Sequence, residues 1–258
     1  MLNPESKAIE KEFIEFVKIV KRLRNECPWD KEQTHASLRR CLLEESYEVL
    51  EAIDNNNLDE LKKELGDLLL QVVFHTLIAE EKNEFSLSDV INLETEKLVA
   101  RHPHVFDNLK VSGSDEVKAN WEKLKSKEGR ESILDSVPKE LPALFKAYRI
   151  QEKASKVGFD WKEEKPVYQK ILEEIEELKK NIDSGTDQRE IEDEFGDVLF
   201  SIVNYSRFLK VNPEDALRKT IEKFIMRFNK IEDYAKSSKK KLEDMTLEKM
   251  DEIWSASK

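Results

Sequence analysis

Two short acidic stretches decide the fold of this chain. The first is Glu44–Glu48 (EESYE), followed by Glu64–Asp67 (ELGD). The second is Glu173–Glu177 (EEIEE), followed by Glu194–Asp197 (EFGD). Both copies read Glu-Glu-x-x-Glu and then Glu-x-x-Asp, with almost the same interval between the two parts. A repeat this regular predicts two tandem copies of one domain.

Each acidic stretch is predicted to lie on an amphipathic helix. Around the first, Leu38, Leu42, Val49 and Ala52 recur at steps of three and four, and Glu45 occupies the gap in that stripe. Three other glutamates interrupt apolar stripes in the same way: Glu64, Glu174 and Glu194. The stripe around Glu64 consists of Leu61, Leu65, Leu68 and Val72. A carboxylate on a core-facing stripe loses its hydration at a high cost in free energy, so this placement predicts a bound cation.

The ligand types indicate which cation this would be. Hard carboxylate oxygens suit Mg²⁺, with Mn²⁺ as a substitute, and such a metal points to phosphate chemistry. A ferritin-like di-iron bundle would place a histidine where the sequence has Asp67 and Asp197. A solvated acidic face is the simpler interpretation for four glutamates outside these stripes: Glu51, Glu60, Glu176 and Glu192.

The composition favours an all-α protein. Of 258 residues, 38% are charged, and only six are Gly and seven Pro. The net charge of −11 argues against a nucleic-acid-binding surface. The two cysteines form no disulfide framework, the N-terminus is polar, and no apolar run is long enough to cross a membrane. We therefore expect a cytoplasmic protein without a membrane or nucleic-acid partner.

The repeat divides the chain into two helical-bundle domains, residues 1–127 and 139–258, joined by a linker at 128–138. The acidic stretches of the first domain are expected on helices Ala36–Ile53 and Leu58–Glu81. Those of the second are expected on Val167–Ile182 and Asp187–Lys210. Gly66 and Gly196 lie inside the predicted helices, which suggests a close approach by a neighbouring helix or a ligand.

Basic and aromatic residues are duplicated together with the acidic stretches. Lys97 and Arg101 stand at i and i+4, and Lys223 and Arg227 repeat that spacing. Such cations suit the phosphate oxygens of a metal–nucleotide complex. A tryptophan follows each pair, and the sequence leaves open whether it stacks on a base or fills the core: Trp121 and Trp254.

Together with these motifs, further segments resemble the MazG family of nucleoside triphosphate pyrophosphohydrolases, within the all-α NTP pyrophosphatase superfamily. The segments are Cys27–Thr34 (CPWDKEQT), Arg101–Phe106 (RHPHVF), Leu141–Leu144 (LPAL) and Val157–Trp161 (VGFDW). The resemblance implies hydrolysis of nucleoside triphosphates to nucleoside monophosphate and pyrophosphate. It also implies Mg²⁺ and a homodimer whose helical bundles pair across subunits.

The resemblance also assigns roles to individual residues. The metal ligands would be Glu45, Glu48, Glu64 and Asp67 in the first domain, and Glu174, Glu177, Glu194 and Asp197 in the second. Glu44 and Glu173 would orient or deprotonate the attacking water, or complete the shell of a second metal. The phosphates and the base would be held by Lys97, Arg101, Trp121, Lys223, Arg227 and Trp254.

Three functions remain open at this point. The first is an enzyme that clears nucleoside triphosphates of broad base range, by attack of water on the α-phosphorus. The second is a narrower pyrophosphohydrolase for dUTP or dCTP, which would use the same metal cluster. The third is a nucleotide-binding sensor with one inactive domain; the acidic motifs, intact in both halves, disfavour it.

Overall fold

The computed structural model describes residues 4–114, 116, 117, 120, 121, 124 and 132–257. Within these residues every regular element is helical, which confirms the predicted all-α class. The chain divides into two compact units, Met1–Lys125 and Ser126–Lys258. Residues 132–138 of the linker predicted at 128–138 can be described. Most of them form a 3-10 turn, Ile133–Ser136, which packs within the second unit.

Six numbered helices form the first unit. They are α1 (Pro4–Glu26), α2 (Pro28–Glu32), α3 (Arg39–Asp54), α4 (Leu58–Glu81), α5 (Leu87–Arg101) and α6 (Pro103–Phe106). The antiparallel pair α3 and α4 makes the most extensive contact, and α1 and α5 both pack on α4. This pair carries both parts of the first acidic motif.

Five helices form the second unit. They are α7 (Ala143–Lys156), α8 (Glu164–Ser184), α9 (Gln188–Phe208), α10 (Pro213–Ser237) and α11 (Leu247–Ala256). The pair α8 and α9 is the counterpart of α3 and α4, and α7 packs on α9 as α1 packs on α4. The order of elements therefore repeats along the chain, as the duplicated motifs predict.

Local sequence sets the helix ends. The Asn57 side chain accepts a hydrogen bond from the Glu60 amide at the start of α4, and Asp187 caps α9 in the same way. Ser86 and Asp89 form the predicted capping box at α5. Gly185 closes α8 in the left-handed conformation, with φ of 67°, which glycine adopts without a steric penalty.

Each unit has its own apolar core. In the first, Val20 of α1, Leu38, and Val73, Phe74 and Ile78 of α4 form one buried cluster. Burying side chains of this size stabilises the fold by about 1.5–3 kcal/mol each. Buried residues of the second unit include Val167, Ile171, Val198, Val203 and Ile231. No described helix is both long enough and apolar enough to cross a bilayer.

The structure differs from the sequence prediction in four places. Helix α3 begins at Arg39 and not at the predicted Ala36, since residues 35–38 form turns. The segment after Cys27, predicted as a turn, is a short helix. Pro28 at its first position favours that start. The predicted apolar stripes are only partly covered, since Leu42, Leu65 and Val72 stay exposed. A Cβ atom added at Gly66 would meet no atom of another described helix within 4 Å, so no neighbouring helix approaches it closely.

Candidate functional site

The first acidic motif forms a compact carboxylate cluster between α3 and α4. Glu45, Glu48 and Glu64 each place an oxygen so that all three atoms lie within 4.8 Å of one another. Glu64 is buried, Glu45 half-buried and Glu48 exposed, so the cluster opens to solvent on one side. The antiparallel packing of α3 on α4 explains how residues nearly twenty positions apart meet.

The charges of this first cluster are poorly compensated. Burial, hydrogen bonds with Glu60 and Glu48, and repulsion from these carboxylates raise the pKa of Glu64 to about 7. Burial and repulsion from Asp67, Glu48 and Glu44 raise the pKa of Glu45. Asp67 therefore lies near the cluster but outside its closest triad. A divalent cation would relieve this repulsion, so the oxygen donors fit Mg²⁺.

The second motif forms the equivalent cluster between α8 and α9. Its closest triad is Glu174, Glu194 and Asp197, again within 4.8 Å. Asn181 donates a hydrogen bond of 3.1 Å to one oxygen of Glu194, whereas the other oxygen is buried and has no described partner. Burial and the neighbouring Glu174 raise the pKa of Glu177, which places it beside the triad. These donors also fit a hard divalent cation.

A lysine distinguishes the second cluster from the first. The Lys170 ammonium lies 2.6 Å from Glu173 and 2.8 Å from Glu174, and both contacts raise its pKa. In the aligned motif of the first unit this position is Cys41, while Arg40 pairs with Glu44 at 2.8 Å. Lys170 was not predicted, although its i, i+4 spacing from Glu174 is a signal for such a pair.

The predicted phosphate-binding residues lie on α5 and α10. Lys97 pairs with Glu94, and the Arg101 guanidinium lies 5.5 Å from the centre of the Trp121 ring. Arg227 lies at the same distance over Trp254, which also packs against Phe224. Lys223 is exposed. None of these contacts involves a cluster carboxylate, so the assigned phosphate and base roles stay predictions.

Two arginines that the sequence did not single out fix the loops before the acidic helices. Arg24 donates to both oxygens of Glu81 at 2.8 Å and to the backbone carbonyls of Asp30 and Gln33. In the second unit Arg207 of α9 binds Asp160 at 2.6 Å. Both arginines are largely buried, whereas Glu81 is about half exposed.

With this geometry established, comparison with known proteins gives the family. The model of the MazG nucleotide pyrophosphohydrolase domain matches residues 33–106 and 162–232. This chain belongs to the MazG family. The two matched segments contain both carboxylate clusters in full, so the repeat seen in the structure is a repeat of the family's domain.

Three relatives of known sequence match nearly the whole chain. The nucleoside triphosphate pyrophosphohydrolase/pyrophosphatase MazG of Thermotoga maritima is 49% identical over 95% of this chain and 95% of its own length. The nucleoside triphosphate pyrophosphohydrolase of Escherichia coli is 43% identical over 92% and 93%. The uncharacterized Bacillus subtilis protein YabN is 47% identical over 98% of this chain and 53% of its own length.

Proposed function

We propose that this protein hydrolyses nucleoside triphosphates of broad base range to nucleoside monophosphates and pyrophosphate, with Mg²⁺ or Mn²⁺ as cofactor. The observation that carries the proposal is the duplicated carboxylate triad, held within 4.8 Å in each unit of a MazG-family chain. The names of the Thermotoga maritima and Escherichia coli relatives support the same reaction. The expected location is the cytoplasm, where nucleoside triphosphates are found.

The metal would be held by Glu45, Glu48 and Glu64 in the first unit, with Asp67 beside them. In the second unit the ligands would be Glu174, Glu194 and Asp197, with Glu177 beside them. When bound, Mg²⁺ supplies two things: it lowers the pKa of a coordinated water and neutralises charge on phosphate oxygens.

In the proposed reaction, water attacks the α-phosphorus. A new bond forms between the water oxygen and that phosphorus, and the bond from phosphorus to the bridging oxygen breaks. Pyrophosphate leaves with the electron pair, and a carboxylate takes the proton of the water. Glu44 and Glu173 are the proposed bases, because each adjoins a ligand on its helix but points about 100° away from it.

Cations of the chain would hold the departing pyrophosphate. Lys223 and Arg227, and their counterparts Lys97 and Arg101, are the proposed partners of the β- and γ-phosphates. Lys97 pairs with Glu94, and Arg227 lies over the ring of Trp254. Lys170 already supplies a positive charge at the second cluster, where it reaches Glu174.

We also propose a homodimer. Leu65 and Leu69 of α4 are about half exposed, and Phe195 and Leu199 of α9 occupy the same positions in the second repeat. A Cβ atom added at Gly196, next to Phe195, would likewise meet no atom of another described helix within 4 Å. A second copy would cover these four apolar side chains, because an amphipathic helix layer needs a partner layer.

A panel of nucleoside triphosphates tests the reaction, with identification of every product and hydrolysis in ¹⁸O-labelled water. We expect monophosphate and pyrophosphate, with the label in the monophosphate, and loss of activity in excess chelator. Diphosphate and orthophosphate as primary products, or label in pyrophosphate, would contradict the mechanism. Turnover restricted to dUTP or dCTP would indicate the narrower enzyme, and binding without turnover would indicate a sensor.

A further inference from the structure

A cavity of about 420 Å³ opens beside the carboxylate cluster of the second unit. Aromatic side chains form much of its wall: Phe159, Trp161 and Phe200. Glu174 and Asp197 of the proposed metal site line the same cavity. A mostly apolar space with a few polar groups is typical of a small-molecule pocket, and aromatic walls suit a planar ring. The cavity thus extends the proposed phosphate site by a compartment of different chemistry.

One buried amide in this wall has an oxygen atom without a hydrogen-bond partner among the described residues. Gln151 of α7 is only 7% exposed, and its Nε2 donates a hydrogen bond of 2.9 Å to the backbone carbonyl of Phe200. Because a carbonyl can only accept, this bond fixes which end of the amide is oxygen. The other end, Oε1, is buried with no partner among the described residues. A buried unsatisfied acceptor is costly, so a ligand that donates an N–H group there gains affinity.

Neighbouring side chains hold the cavity in shape. Asn204, which is buried and lines the cavity, accepts a hydrogen bond from Arg207 through its Oδ1 at 2.5 Å. Arg207 also binds Asp160, and thereby ties the loop that carries Phe159 and Trp161 to α9. The loop that carries Phe159 and Trp161 and the buried amide of Gln151 are therefore both linked to α9 before any ligand enters. Such preorganisation lowers the entropic cost of binding.

We propose that this cavity receives the base of the substrate and that Gln151 determines specificity by accepting a hydrogen bond from an exocyclic amino group. Adenine, cytosine and guanine carry such a group, and uracil and thymine do not. In uracil and thymine the ring N–H is flanked by two carbonyl oxygens, which would face the buried oxygen of Gln151 and repel it. The inference rests on the proposed function, because it assumes that Glu174 and Asp197 bind the metal–phosphate part of the same molecule.

The test compares ATP with purine riboside triphosphate, which differs from ATP only in lacking the amino group. Both are assayed by kcat/KM in a Glu45→Gln/Glu64→Gln background, so that only the second cluster contributes. We expect a preference for ATP of about tenfold or more, because a site built to bond a donor rejects an analogue that lacks it. Equal values for the two nucleotides in this background would overturn the proposal.

Variants of two glutamines provide the matched comparison. Gln151→Met keeps the length of the side chain but removes the acceptor, so it should lower kcat/KM for ATP and leave the analogue nearly unchanged. Gln71 of α4 is equally buried and also has an unpartnered Oε1, but it lies in the first unit. Gln71→Met should therefore retain the preference for ATP. An equal loss for both nucleotides in Gln151→Met would mean a purely structural role and would reject the assignment.

The outcomes separate this inference from the function on which it rests. If no nucleoside triphosphate yields monophosphate and pyrophosphate, the proposed function fails. If ATP and its analogue both yield monophosphate and pyrophosphate with equal kcat/KM, the function stands and the role of Gln151 is wrong. CTP and UTP provide a second pair for the same comparison, with CTP expected to be preferred.

Discussion

His35 and His75 stack with their rings parallel to within 2° and their Nδ1 atoms 2.9 Å apart. His35 precedes α3, and His75 lies on α4, so the pair joins the start of one acidic helix to the other. A hydrogen bond between two Nδ1 atoms needs one donor and one acceptor, so it requires that at least one ring be neutral. Burial, and to a smaller extent His35, lower the pKa of His75.

Acid should therefore weaken the first unit through this pair. Unfolded His75 takes up a proton as the pH falls through about 6.5, whereas folded His75 resists it, so the free energy of unfolding decreases in that range. We expect a melting temperature lower by a few degrees at pH 5.5 than at pH 7.5. His75→Phe should remove that difference, and His104→Phe should not.

The comparison is best made in a Glu64→Gln background. The pKa of Glu64 is raised, so its protonation below pH 7 stabilises the metal-free fold and opposes the effect of His75. If the His75→Phe variant keeps the full acid sensitivity in that background, the pair is not its source.

Metal binding at the first cluster should release a proton near neutral pH. The pKa of Glu64 is about 7 without metal, and a metal ligand must be deprotonated. At pH 6.5 we expect Mg²⁺ binding to release more than half a proton, and at pH 8.5 almost none. Calorimetry in two buffers of different ionisation enthalpy measures this in a Glu174→Gln/Glu194→Gln protein. Equal proton release at both pH values would contradict the assignment of Glu64.

The two clusters should be separable by mutation. Glu45→Gln with Glu64→Gln replaces two of the three close carboxylates of the first unit with neutral amides, and Glu174→Gln with Glu194→Gln does so in the second. Each pair should weaken Mg²⁺ at its own site by about 100-fold or more and leave the other unchanged. Glu51→Gln with Glu176→Gln, both exposed, is the control. Full metal stoichiometry in either double variant would show that its site is misassigned.

A charge on the exposed apolar face should dissociate the proposed dimer. Leu65→Asp with Phe195→Asp places carboxylates where a second copy would bury leucine and phenylalanine, and burial of an unpaired charge is strongly unfavourable. Light scattering at micromolar concentration should give a dimer for the natural sequence and a monomer for the variant. Lys62→Asp, at a fully exposed polar position, should remain dimeric. A monomeric natural protein would refute the proposal.

The sequence predicted the parts of the fold that depend on local signals. The α4 limits, Leu58 and Glu81, agree with the predicted helix, because Asn57 supplies a cap that can be read from one residue. The burial of Glu64 and Glu174 could also be predicted, since each interrupts an apolar stripe. The duplication made both arguments stronger, because each signal occurs twice.

Contacts between distant residues could not be predicted in this way. Gln151 looks like an ordinary polar residue in its helix, and only its position beside Phe200 reveals an unsatisfied acceptor. The apolar stripe of α4 likewise does not show which of its leucines are covered by other helices of the same unit. Leu65 was expected to be buried, but it is half exposed. Spacing along a helix gives a face, whereas burial depends on what packs against that face.

The two repeats anchor equivalent loops with unrelated residues. Arg24, which holds the carbonyls of Asp30 and Gln33, comes from α1, the first helix of its repeat. Arg207, which holds Asp160, comes from α9, the second acidic helix of the other. A chimera that exchanges the two loops would therefore separate Asp160 from Arg207, unless the arginine moved with it. Since the duplication, loops in equivalent places have come to depend on side chains from different helices.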